Sequence, residues 1–131
     1  MGAAEDVAVV RRGYEAFNTG DMETLTEVFD ERASWHTPGR GSLAGDHVGR
    51  DATFAYFGQL AGQTRGTFRA ELRYLAGDDD GHVLALHHNS GDRDGKHLDV
   101  ECCLVLELKD GRVIDGREHF GELYAWDDFW S

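Results

Sequence analysis

Between Ala4 and Thr19 the apolar residues Val7, Val10, Tyr14 and Phe17 return every three or four positions, with Glu5, Asp6, Arg11, Arg12 and Glu15 between them. That period is one face of an amphipathic helix, and Gly20 is its stop. Asp21 is placed to cap a second helix running to Phe29, whose apolar positions are Met22, Leu25, Val28 and Phe29. A short extended piece, Ala33 to Thr37, comes next. Pro38 disfavours a helical Thr37, and the glycine-punctuated stretch Gly39 to Gly49 reads as a loop. Asp51 to Ala61 is a third helix, with Phe54, Tyr56, Phe57 and Leu60 on its apolar face.

Near Thr67 the period changes from 3.6 to 2. Phe68, Ala70, Leu72 and Tyr74 alternate with Arg69, Glu71 and Arg73, the pattern of a strand wet on one face. Asp78 to Gly81 turn the chain into a second strand, His82 to Ser90, and the segment around Gly91 to Gly95 reverses it into Leu98 to Leu108. Asp110-Gly111 is a hairpin signal before the last strand, Arg112 to Phe120. An apolar tail carries Leu123, Tyr124, Trp126, Phe129 and Trp130. Without repeats or linkers, residues 1–131 read as one domain. Helices followed by a meander of strands predict an α+β fold: a curved antiparallel sheet wrapped about three N-terminal helices, a cone with an open mouth.

Charge then narrows the partners. The 25 acidic and 13 basic residues leave a net charge of -12, which disfavours nucleic acid and anionic membranes. The longest apolar run, Cys102 to Leu106, falls far short of the ~20 residues of a membrane span. The first residues carry no basic and apolar leader, so the cytoplasm is the expected location. Cys102 and Cys103 are adjacent and read as buried strand residues rather than a disulfide or zinc framework. No compact histidine set, phosphate loop or dinucleotide fingerprint is present, so neither a metal nor another cofactor is expected.

Candidate chemistry concentrates on the strands. By alternation, Ile114, Gly116, Glu118 and Phe120 share one face of the last strand, and Val113, Asp115, Arg117 and His119 the other. Glu118 is the only ionisable group on its mostly apolar face. Desolvation there raises a carboxyl pKa toward neutrality, as a general acid or base requires; a rim carboxylate paired with arginine is the competing reading. A protonated His36 or His87 beside it would lower that pKa instead. On the strand Val83, Ala85, His87, Asn89, the two polar residues supply a second proton carrier and an oxyanion donor, unless His87 is only a satisfied structural histidine. Trp35-His36-Thr37-Pro38 is the third cluster, although Trp35 and His36 point to opposite faces of a regular strand. The expected set is Glu118, His36 and His87 for catalysis, with Trp35, Thr37, Asn89, Phe57, Gly116 and Phe120 around the substrate. Leu75, Leu84, Leu86 and Val113 fall on the face away from the core, which predicts a homodimer packed through the outer side of the sheet.

The order of elements, Tyr14-Glu-Ala-Phe-Asn-Thr-Gly-Asp21, Trp35-His-Thr-Pro-Gly39, the Gly45 and Gly49 loop and Asp110-Gly-Arg-Val-Ile114 together resemble the SnoaL-like branch of the NTF2-like superfamily, over nearly the whole chain. In SnoaL-like cyclases an acidic residue at the matching point of the last strand is the acid/base, and the resemblance implies that role for Glu118. Against ketosteroid isomerases, the base aspartate falls on Thr37, the oxyanion tyrosine on Gly13 and the protonated aspartate near Cys102 or Cys103, so that mechanism is not expected. Tyr14, one position from Gly13, lies on the apolar stripe and reads as core. An epoxide hydrolase triad would need Asp99, Arg117 and Asp115, the last two of which lie opposite Glu118. The resemblance implies a cofactor-independent isomerase, cyclase or hydratase/hydrolase acting on a mostly apolar polyketide-, terpenoid- or steroid-like molecule. The alternative is a non-catalytic small-molecule-binding or dimerisation module of the same fold. A closed cavity containing Glu118 favours chemistry and an infilled cone favours a scaffold.

Overall fold

The computed structural model describes residues 2–131. Helix α1 (Ala3–Thr19) ends where Gly20, at φ 72°, turns its N–H back to the carbonyls of Ala16 and Phe17, the left-handed cap that glycine forms without steric cost. Asp21 accepts a hydrogen bond from the backbone N–H of Thr24 and opens α2 (Met22–Val28). The chain then passes directly into strand β1 (Phe29–Thr37). A short strand, β2 (Gly45–His47), pairs with β1 inside the stretch expected to be loop. Helix α3 (Arg50–Gln63) follows.

The second half is a meander of β3 (Arg69–Gly77), β4 (His82–Arg93), β5 (Lys96–Lys109) and β6 (Arg112–Phe120). The sheet order is β2-β1-β6-β5-β4-β3, so the sheet is curved and unclosed, as the α+β reading expected. One pair departs from the antiparallel expectation: β1 runs parallel to β6 because the chain crosses from one to the other through α3 and the whole meander. Asp110 and Gly111 both adopt positive φ, as in a type I′ hairpin turn, and so do Asp94 and Gly95. The second pair makes the β4–β5 hairpin tight and extends both strands past the expected ends at Ser90 and Leu98.

Two bulges decide which side chains face inward. Ile114 is the extra residue on β6, since Val113 pairs with Leu108 and Asp115 with Glu107. Parity therefore reverses at Ile114, and Val113 points inward with Gly116 and Glu118 instead of outward with Asp115. Arg73 plays the same part on β3: Leu72 pairs with His87 and Tyr74 with Leu86. Leu75 accordingly packs against the core and Tyr74 faces out, 72% exposed.

The apolar tail is a fourth helix, α4 (Leu123–Phe129), where no element was expected. It stops one end of the cone: Trp126 stacks on Phe120 at 4.0 Å, and Trp126, Phe129 and Trp130 are all buried. Phe120 is thus occupied by α4. Asp127 fastens the loop after β1 by accepting from the backbone N–H groups of Arg40 and Gly41. Cys102 is buried and Cys103 half-buried, both as free thiols. No helix among the described residues is long and apolar enough to cross a membrane.

Candidate active site

Between the helices and the concave side of the sheet lies a cavity of about 70 Å³. Its wall is built by helical spacing on α1, α2 and α3 and by strand alternation on β1, β4, β5 and β6, which bring Val10, Leu25, Phe57, Leu60, Leu104 and Val113 to one space. Polar atoms enter it from Tyr14, Trp35, Tyr56, His87, Asn89 and Glu118; among the described residues no lysine or arginine lines it.

Glu118 is 5% exposed. The hydroxyls of Thr37, on β1, and Tyr56, on α3, both donate to its Oε1, at 2.7 and 2.8 Å. Among the described residues no donor reaches Oε2, so in the acid form the proton belongs on Oε2. Burial raises the Glu118 pKa from 4.5 to about 7, against the opposing pull of Thr37, Tyr56 and Trp35. Desolvation prevails because every donor is neutral and no cation lines the cavity. The Trp35 indole N–H lies near enough to favour the carboxylate but makes no hydrogen bond, and stays buried without a partner. Tyr56, whose pKa burial and the Glu118 charge both raise, remains a phenol.

A second polar group stands elsewhere on the wall. His87 and Asn89 face inward from β4, 5% and 1% exposed. The Tyr14 hydroxyl lies 2.5 Å from His87 Nδ1. Burial lowers the His87 pKa to about 4, so the ring is neutral at ordinary pH, and burial holds Tyr14 protonated. Asn89 Nδ2 is buried with no hydrogen-bond partner.

The structure therefore brings Glu118, His87, Asn89, Trp35 and Phe57 to one cavity and sets Thr37 directly on the carboxyl. It does not bring His36 there. With Trp35 and Thr37 inward, strand alternation turns His36 to the opposite face, where Nδ1 bonds Asp46 and Nε2 bonds Asp115, each at 2.7 Å. Desolvation depresses its pKa, but those two hydrogen bonds outweigh it and the net shift is upward. The expected catalytic role of His36 beside Glu118 is corrected accordingly: the ring is taken up by Asp46 and Asp115. Gly116 lies beneath Trp35 rather than on the cavity: a Cβ there would run into the indole ring. Phe120, covered by Trp126, is not on the cavity wall either.

Tyr14 and Tyr56 are site residues that sequence reasoning placed in the core. Their positions on apolar helical faces fit that reading, and only the hydroxyl distinguishes them from phenylalanine. The signal was present in that hydroxyl, since a buried tyrosine O–H almost always finds an acceptor.

Comparison with known proteins agrees with this architecture. A family model described as a SnoaL-like domain matches residues 10–116. The structure of Bal32a, from a soil-derived mobile gene cassette, superposes with a TM-score of 0.97 at 61% identity over 98% of each chain. An uncharacterized protein of Mycobacterium tuberculosis is 31% identical over 96% of each chain. A putative SnoaL-like polyketide cyclase from Jannaschia sp. CCS1 shares the fold, with a TM-score of 0.81 at 16% identity over 98% of this chain and 94% of its own. With its cone, its order of elements and a family match spanning most of its length, the chain belongs to the SnoaL-like domain family of the NTF2-like fold.

Proposed function

We propose that the protein is a cofactor-independent acid/base enzyme that isomerises, cyclises or hydrates a compact, mostly apolar molecule, with Glu118 as the group that exchanges the proton. The observation that carries this reading is a buried carboxyl with one oxygen fixed by two hydroxyls, the other free, and a pKa of about 7 at an apolar cavity. Near neutral pH both protonation states are populated, which makes such a group effective in either direction of transfer. The space is smaller than a dry cavity of about 150 Å³ that takes up benzene, which favours a molecule of few heavy atoms. A larger polyketide-, terpenoid- or steroid-like ring system does not fit that space without movement of its walls.

Turnover of a panel of small apolar ketones, epoxides and alkenes by wild type and Glu118→Gln tests the proposal. The variant keeps the shape and the Oε1 acceptor, so activity is expected to fall by about 100-fold or more while binding persists. Undiminished turnover would remove Glu118 from the mechanism. Binding without turnover in either protein would favour a non-catalytic binding module.

The same reading takes the protein as a cytoplasmic homodimer. The free thiols accord with a reducing compartment. The outer face of the sheet exposes Tyr74 and Leu84, 72% and 49%, beside half-buried Leu86. Leu75 and Val113 do not contribute to that patch, because the two bulges turn them inward. X-ray scattering in solution is expected to give a mass twice 14.6 kDa; a monomer at micromolar concentration would refute the dimer.

A further inference from the structure

Among the described residues, the buried Asn89 side chain is the one polar group of the β4 cluster left incomplete. Its Nδ2 donor has no partner although the residue is 1% exposed and lines the cavity. A buried amide N–H without an acceptor has lost its hydration with nothing in return, so its persistence at a cavity wall points to an acceptor that arrives from outside the chain.

The neighbouring groups fix which way that carboxamide faces. Among the described residues the Tyr14 hydroxyl has one partner, His87 Nδ1. If Nδ1 carried the imidazole proton, the phenol O–H would be left buried with nothing to donate to. The satisfied arrangement has Tyr14 donating to Nδ1 and the imidazole proton on Nε2. The neutral state of His87 is secured by burial. With the imidazole proton on Nε2, Asn89, two residues on along the inward face of β4, is the neighbour whose oxygen can accept it, and Nδ2 is then the donor without a partner among the described residues.

We propose that Asn89 Nδ2 is the anchor for a carbonyl oxygen of the bound molecule, and that Tyr14 and His87 are positioning residues that orient it through an ordered chain of hydrogen bonds. The ligand class is thereby narrowed to compact apolar ketones or related carbonyl compounds. An amide donor held in a buried site polarises a carbonyl more strongly than water does, because it is already oriented and needs no reorganisation. This assignment deepens the acid/base reading of Glu118, and its test is separable from it.

Two spectra decide the matter. Long-range ¹H–¹⁵N correlation spectra of the wild-type imidazoles are expected to show His87 neutral with its proton on Nε2, and Tyr14→Phe is expected to give a mixture of tautomers. The infrared carbonyl band of bound cyclopentanone is expected at lower frequency in wild type than in Asn89→Leu, a near-isosteric change that removes the donor, and Tyr14→Phe is expected to lie between them. In Glu118→Gln the shift is expected to remain. A wild-type His87 protonated on Nδ1, identical carbonyl bands in wild type and Asn89→Leu, a shift lost in Glu118→Gln but kept in Asn89→Leu, or failure of cyclopentanone to bind wild type would each overturn the proposal. Absence of turnover with the carbonyl shift intact counts against the acid/base reading alone and supports the anchor.

Discussion

Replacing Glu118 by glutamine tests the electrostatics of the cavity without reference to any substrate. The carboxyl is buried and its pKa is raised from 4.5 to about 7. Below pH 4.5 the group is protonated in both folded and unfolded chains, and its contribution to stability is fully present. Between 4.5 and 7 the folded protein holds a proton that the unfolded chain has released, so rising pH draws the equilibrium toward unfolding; above 7 the contribution is lost. At about 1.4 kcal/mol per pKa unit, the whole interval corresponds to about 3 kcal/mol. Between pH 5 and pH 8 wild type is expected to lose roughly 2 to 3 kcal/mol relative to the variant, or roughly 10 °C in Tm for a chain of this size. Glutamine retains an Oε1 that accepts from Thr37 and Tyr56, so its own cost is independent of pH, and the readout is the pH dependence of the difference. Urea unfolding of both proteins at half-unit pH steps measures it. A difference constant with pH would mean that Glu118 is hydrated and titrates normally. A difference of opposite sign would mean that an unrecognised positive charge faces the carboxylate.

Three further outcomes follow from contacts in the structure. Gly116→Ala drives a methyl group into the Trp35 ring, which is already packed between Phe29 and Phe57; chemical denaturation is expected to show a loss of about 1 to 3 kcal/mol. Tyr56→Phe removes one donor from Oε1, so the Glu118 pKa is expected to rise by about one unit, read from the carboxyl band in difference infrared titrations; a fall would show that the Tyr56 dipole opposes the charge. Asp127→Ala frees the backbone N–H groups of Arg40 and Gly41, with an expected cost of about 1 to 2 kcal/mol and faster hydrogen exchange confined to residues 39–44.

Much of this protein was legible before its structure. Apolar spacing of 3.6 and then 2 located three helices and the four long strands, because each reports a local requirement to bury one face. Glu118 stood out as a lone carboxylate among apolar neighbours on its strand. The limits have equally definite causes. Face parity along a strand is readable only while pairing is regular, and the extra residues Arg73 and Ile114 reverse it, moving Leu75 and Val113 to the inner side. The parallel pairing of β1 with β6 joins segments far apart in sequence and leaves no local trace. Tyr14 and Tyr56 occupy apolar stripes exactly as core residues do; their hydroxyls acquire meaning only when folding sets them against His87 and Glu118. His36 and Thr37, adjacent in sequence, are divided between a surface ion-pair cluster and the buried carboxyl by the alternation of one strand. The sequence determined which residue types were present and the periods at which they recur. Tertiary structure decided which of them meet, and so which proton is held at about pH 7 and which donor is left without a partner, because burial and partnership belong to the assembled cavity and not to any one segment of chain.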